Sequence, residues 1–151
     1  MAAFASPEED EVMSMFRQST QRLLGLDEAP ATLWVHHSPA TRLLCEDADG
    51  PHLQLEGHFD WILAAGKDEL GLFRVRGPRL TTDDLMFRSP YGPLEIDVVD
   101  TGDLALARVF TVSATPGPWF AVSAPIHGRR RSAVDEFTDL VRGRCDAVPI
   151  G

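Results

Sequence analysis

Ten residues, "HLQLEGHFDW" at 52–61, gather the side chains of this chain best able to do chemistry. They hold two of its five histidines, a glutamate, an aspartate and a tryptophan. On a β-strand, alternate side chains point to opposite faces. His52, Gln54, Glu56, His58 and Asp60 then share one face, and Leu53, Leu55, Phe59 and Trp61 the other. Imidazoles and carboxylates on one face are what acid–base catalysis or metal binding requires. Distance narrows the set. At about 3.3 Å per residue, His52 and His58 lie roughly 20 Å apart, far beyond what two zinc–nitrogen bonds of about 2 Å can span. His58 and Asp60 are only about 7 Å apart, and Glu56 can approach from the other side. His58, Asp60 and Glu56 are therefore the candidate catalytic residues, and His58 and Asp60 the candidate metal ligands, with further ligands required from neighbouring strands.

A hairpin gives the same residues a structural task. "ADG" at 48–50 fits a three-residue loop with Gly50 in the left-handed position. In that register Glu46 faces His52 and Arg42 faces Glu56, while Cys45 and Leu43 fall beside Leu53 and Leu55 on the apolar side. Such cross-strand pairs contribute roughly 0.2–1 kcal/mol each, and a slip of one residue scrambles them. The register predicts an Arg42–Glu56 pair. It leaves His58 and Asp60 without a partner.

The remaining reactive groups form no recognised motif. His36 and His37 are neighbours on a strand and point to opposite faces. His127 lies in a loop. The chain has no HExxH, no Cys/His ligand ladder, no GxSxG and no Walker A loop. Cys145 sits among Arg142, Arg144 and Asp146, where cations favour a thiolate; Cys45 reads as a core thiol. "GRRRS" at 128–132 is the basic cluster. Arg129, Arg130, Arg131 and Ser132 precede a helix whose free N–H groups would help them hold a phosphate or carboxylate. No cofactor is implied by any of these patterns.

The elements that must position these groups are read from periodicity. Ser6, Pro7 and Glu9 mark a helix start, and Val12, Met15, Phe16, Ser19, Leu23 and Leu24 recur at helical spacing up to Gly25. Met15 and Phe16 form a stripe that suits either a sheet or a protein partner. The period then changes to two. Strands are predicted at 32–37, 42–47, 52–65, 70–76, 94–99, 104–113 and 119–126, with "LTTDDLMF" as a short helical turn capped by Thr82 and "SPYGP" as a loop. "DTGD" marks a hairpin. Trp34, Trp61 and Trp119 fall within or beside strands, where packing in a core suits them. A last helix follows, capped by Ser132 and Asp135, with Val134, Phe137, Leu140 and Val141 in one stripe. The pattern predicts a single α+β domain over 1–151, with ends at 1–5 and 146–151 flexible. A strongly curved, mostly antiparallel sheet of about seven strands, or a partial barrel, is flanked by two terminal helices, with one sheet face wet.

Composition bounds the function. The chain has 151 residues, a formal charge of -9 and 44% hydrophobic residues. Residues 1–128 carry 19 acids and 9 bases, and residues 129–151 carry 4 acids and 5 bases. An acidic body argues against nucleic acid and anionic membranes as partners and favours a basic protein. Two distant cysteines make no disulfide framework, and "MAAFASPEEDEV" lacks the pattern of a signal peptide, so a cytoplasmic setting is expected. Two function classes remain. One is a non-catalytic protein-binding module, with the size and charge of small acidic chaperones and of toxin-neutralising inhibitor or immunity proteins, using its sheet face or terminal helices; a homodimer is compatible with it. The other is a small-ligand-binding or metal-dependent hydrolase-like protein with its pocket at the His58/Asp60 strand.

Overall fold

The computed structural model of the protein describes residues 7–37, 53, 55, 59–77, 79–101, 107–114, 117–126, 128 and 130–146. Helix α1 spans Pro7–Leu24, with proline in the first helical position, where its missing N–H costs nothing. It stops at Gly25, whose φ of 66° is the left-handed conformation glycine adopts freely. The amides of Gly25 and Leu26 return to the carbonyls of Arg22 and Gln21 at 3.2 and 2.9 Å, which closes the helix end as a Schellman motif. Strands β1 (Ala31–His37), β2 (Asp60–Ala65), β3 (Glu69–Val75), β4 (Leu85–Pro90), β5 (Leu94–Thr101), β6 (Ala107–Ala114) and β7 (Trp119–Pro125) follow, and helix α2 (Arg130–Asp146) closes the chain.

The strands form one sheet in the order β4-β3-β2-β1-β7-β6-β5, each pair antiparallel. The predicted α+β fold with two terminal helices is the observed one. Two expectations change. "SPYGP" is not all loop: Ser89 and Pro90 complete β4. Proline is tolerated there because β4 is an edge strand and needs no amide on its outer side. The short turn before β4 is a 3-10 helix at Thr82–Asp84, capped by Thr81 rather than Thr82. Buried Asp84 holds it, accepting from the Thr81 amide at 2.9 Å and from Arg76 Nε at 2.6 Å. The predicted strand at 42–47 lies outside the described residues.

The two helices cover opposite faces, not one shared face. On β2, Trp61, Leu63 and Ala65 pack with Val134, Phe137 and Val141 of α2. Ile62 and Ala64, of the other parity, pack with Phe16 and Leu24 of α1. Strand β2 is therefore buried on both sides over "WILAA", so the sheet face expected to be wet is covered here by α1. Each large side chain buried this way contributes about 1.5–3 kcal/mol. Gly71 lies under the Leu24 side chain of α1, and a β-carbon there would meet the Phe73 ring at 3.3 Å and Leu24 Cδ2 at 3.4 Å. Arg88 fixes the helix end, donating to the Leu24 carbonyl at 3.0 Å while paired with Glu69.

Edge strands β4 and β5 are joined by residues 91–93 alone. Four Cα steps reach at most about 14 Å. A flat sheet of this width would hold its edges roughly 29 Å apart. The sheet must curl, and it does: the rings of Phe87 on β4 and Phe120 on β7 lie 5.0 Å apart. It does not close into a barrel, because β4 and β5 do not pair. The α2 side is the concave side, and it is packed with core residues. Tyr91, in the linking turn, is buried there and donates from its hydroxyl to the Gly66 carbonyl at 2.7 Å. Burial pushes its phenol well above the usual value, which favours the neutral form. A phenol pKa raised by folding gives stability that is complete below about pH 10 and falls as pH rises past it. Tyr91→Phe is expected to lower unfolding free energy by about 1–2 kcal/mol in urea, by leaving the Gly66 carbonyl unpaired. It should also flatten the alkaline loss of stability above about pH 10. An unchanged alkaline profile contradicts this assignment.

Candidate functional site

Asp60, the first residue of β2, lies on the convex face, in register with His36 of β1. Its Oδ1 is 2.9 Å from His36 Nδ1, and both side chains are about half exposed, at 40% and 49%. The expectation that Asp60 lacks a partner is thus corrected. The predicted hairpin register ends at Arg42 opposite Glu56 and does not reach Asp60, whose partner comes from β1. An imidazole protonated on Nδ1 donates to this carboxylate and leaves Nε2 as acceptor, the orientation used by a histidine base. The pair stands on an outer surface, where such contacts stabilise by about 0–1 kcal/mol. Glu56, His58, His52, His127 and the predicted Arg42–Glu56 pair lie outside the described residues. Among the described residues, no three histidine, cysteine or acidic side chains converge on a metal position. On the apolar parity the expectation holds. Leu55 and Trp61 are buried, and Leu53 and Phe59 pack beside them on the concave core. Trp61 is 1% exposed, and its indole Nε1 has no hydrogen-bond acceptor among the described residues.

The basic cluster at 128–132 is placed differently from its prediction. Helix α2 begins at Arg130, so Ser132 is within its first turn and does not cap it. Arg131 and Ser132 are exposed and Arg130 is half-buried, while Arg129 lies outside the described residues. Asp135, expected in a capping box with Ser132, instead pairs with Arg108 at 2.7 Å. Two cations in the first turn oppose the helix dipole, so nothing in the helix itself asks for them there.

Arg108 is the residue that the chain pattern did not single out. A signal was present: it occupies a core-facing parity of β6, with Phe110 and Val112. Its side chain is 11% exposed. It binds Asp100 of β5 through Nε and Nη2 at 2.7 and 3.2 Å, Asp135 through Nη1 at 2.7 Å, and the Thr138 hydroxyl at 3.1 Å. One guanidinium thus ties two strands to α2. Hydrogen bonding to Arg108 holds the Asp100 carboxyl below its ordinary value, and the same bonds raise Arg108. A second hollow, of about 720 Å3, opens where loop 25–31, turn 66–68 and the end of α2 meet. Its walls carry Arg17, Lys67 and Arg144 against Asp27, Glu28 and Asp68, which selects no ligand charge.

Cys145 is half-buried, and burial raises its thiol, with Asp146 adding to the shift. Burial and the Asp146 carboxylate both work against the thiolate that the flanking arginines were expected to favour. Phe16 is likewise corrected as a partner-binding residue: it is 1% exposed and meets Trp34 edge-on at 5.6 Å under α1. Met15, its neighbour, is 44% exposed. No helix among the described residues is long and apolar enough to cross a membrane. No protein-family model, curated protein or solved structure matches the chain.

The two polar sites differ in weight. In urea unfolding, Arg108→Leu is expected to cost about 1–2 kcal/mol, since it removes one partner from Asp100, Asp135 and Thr138 together, although the two carboxylates are half exposed. Asp60→Asn should cost under about 1 kcal/mol. Equal costs contradict the ranking. The acid side has a defined sign. A carboxyl depressed by folding stabilises above its unfolded value and loses that stabilisation as pH falls through it. Asp100→Asn should therefore flatten the stability profile below about pH 4.

Proposed function

We propose that this chain is a non-catalytic, cytoplasmic protein-binding module, acidic and of the chaperone-like or inhibitor/immunity-like kind. The observation that carries this reading is the filled concave face. Phe87, Phe110, Phe120 and Trp61 and the apolar stripe of α2 occupy the hollow that a curved sheet otherwise offers to a small ligand. What remains for contact is the outside: the convex sheet face, the free strand edges and exposed side chains such as Met15 and Val99. The charge of -9 favours a basic partner through long-range attraction.

The second reading, a metal-dependent or hydrolase-like pocket at the His58/Asp60 strand, draws on one observation. His36 and Asp60 form a hydrogen-bonded imidazole–carboxylate pair at the end of the β1/β2 ladder. Affinity capture of the tagged chain from its own cells, followed by reconstitution with the purified partner, separates the two. The protein-binding reading predicts a stoichiometric, salt-sensitive complex that forms without any bound metal. Stoichiometric metal in the purified protein, lost in His58→Ala, together with no captured partner, contradicts it.

A further inference from the structure

The two edges of the sheet are protected differently. Strand β4 ends in Pro90, and its ladder with β3 is broken by a register shift at Leu72/Phe73. Proline and bulges are the devices by which proteins close an edge to further pairing. Strand β5 has neither. It pairs with β6 through eight consecutive residue pairs, from Leu94↔Ala114 to Thr101↔Ala107, without a shift. Its outer row of amides and carbonyls has no partner strand among the described residues. A regular, unpaired row of this kind is a template for an added strand.

The side chains on β5 say what such a strand must carry. On the convex face Glu95 and Asp97 are exposed, and neither has an ion-pair partner among the described residues. Asp100 differs, since Arg108 already neutralises it on the concave face. On that concave face Ile96 and Val98 are only partly covered by the core. A strand laid beside β5 would place every second residue next to Glu95 and Asp97, and the alternate ones next to Ile96 and Val98. A second copy of this chain fits poorly, because self-pairing sets the acidic faces of two -9 chains side by side.

We infer that β5 is the docking edge, and that its ligand is an extended segment of a basic protein in which lysine or arginine alternates with apolar residues. This inference rests on the protein-binding reading and names its surface. Main-chain hydrogen bonds supply affinity. Glu95 and Asp97 supply the preference, attracting a basic strand and repelling an acidic one.

The test uses the full chain and a synthetic peptide of alternating lysine and valine as long as β5, with a glutamate–valine peptide as control. Binding is read by fluorescence anisotropy and located by amide hydrogen exchange. The lysine peptide should bind with an affinity that falls as salt rises, and should slow exchange in β5 above all other strands. The double variant Glu95→Lys/Asp97→Lys should weaken it by about tenfold or more. Glu95→Gln/Asp97→Asn should do so to a lesser degree, with both variants keeping the wild-type urea midpoint. Equal binding of the glutamate peptide, protection centred elsewhere, or unchanged affinity in the reversed variant overturns the inference. So does strong protection of the outward β5 amides in the free protein, or self-association through β5. A captured native partner that still binds the reversed variant sinks the β5 edge and leaves the protein-binding reading standing. Failure of that reading shows separately, as no partner at all, and takes the edge with it.

Discussion

Three residues, 91–93, tie one edge of a seven-stranded sheet to the other. That link is too short for a flat sheet, and much of the rest depends on this constraint. It forces the curl, and the curl creates a concave side deep enough to enclose a core. Tyr91 sits at the point of greatest demand and is anchored to the β2–β3 turn through Gly66. Among the described residues, β1 and β7 share two register pairs and β5 and β6 eight. Arg108 and its two aspartates then lock the far arm to α2.

Most of the apolar mass of the sheet lies on its concave side. A curved sheet can keep its hollow for a ligand or fill it with its own side chains. Here Phe110 meets Phe137 of α2 edge-on at 6.0 Å, and Phe87 meets Phe120 across the curl. The hollow is spent on stability. The convex side divides as well: α1 covers β1 to β3, and β5 is left with exposed acids and a regular edge. One end of the sheet is thereby finished and the other unfinished.

Local signals were legible where one interaction decided them. Gly25 ended α1 because only glycine takes that φ cheaply, and the Val134/Phe137/Val141 stripe located the buried side of α2. Strands β5 and β6, on either side of "DTGD", pair antiparallel as expected, with residues 102–106 between them outside the described residues. Features set by tertiary neighbours were not legible. Strand β4 hid behind "SPYGP", because an edge position forgives a proline that a central strand would not. The assignment of helices to opposite faces was hidden by "WILAA", which reads alike whether one face or both are covered. His36 was paired with Asp60 by β1 meeting β2, a long-range choice that a local hairpin register does not contain. Arg108 was visible only as an arginine on an apolar parity, and its partners came from β5 and α2.

The curl itself is the central claim, and nuclear Overhauser contacts between aromatic rings test it most directly. With the sheet curled as described, the rings of Phe87 and Phe120, 5.0 Å apart between centroids, give strong cross-peaks despite lying on strands separated by three others. Their absence, in a folded sample that shows the β2–β3 and β5–β6 ladders intact, would mean an open sheet and a hollow available to a ligand after all.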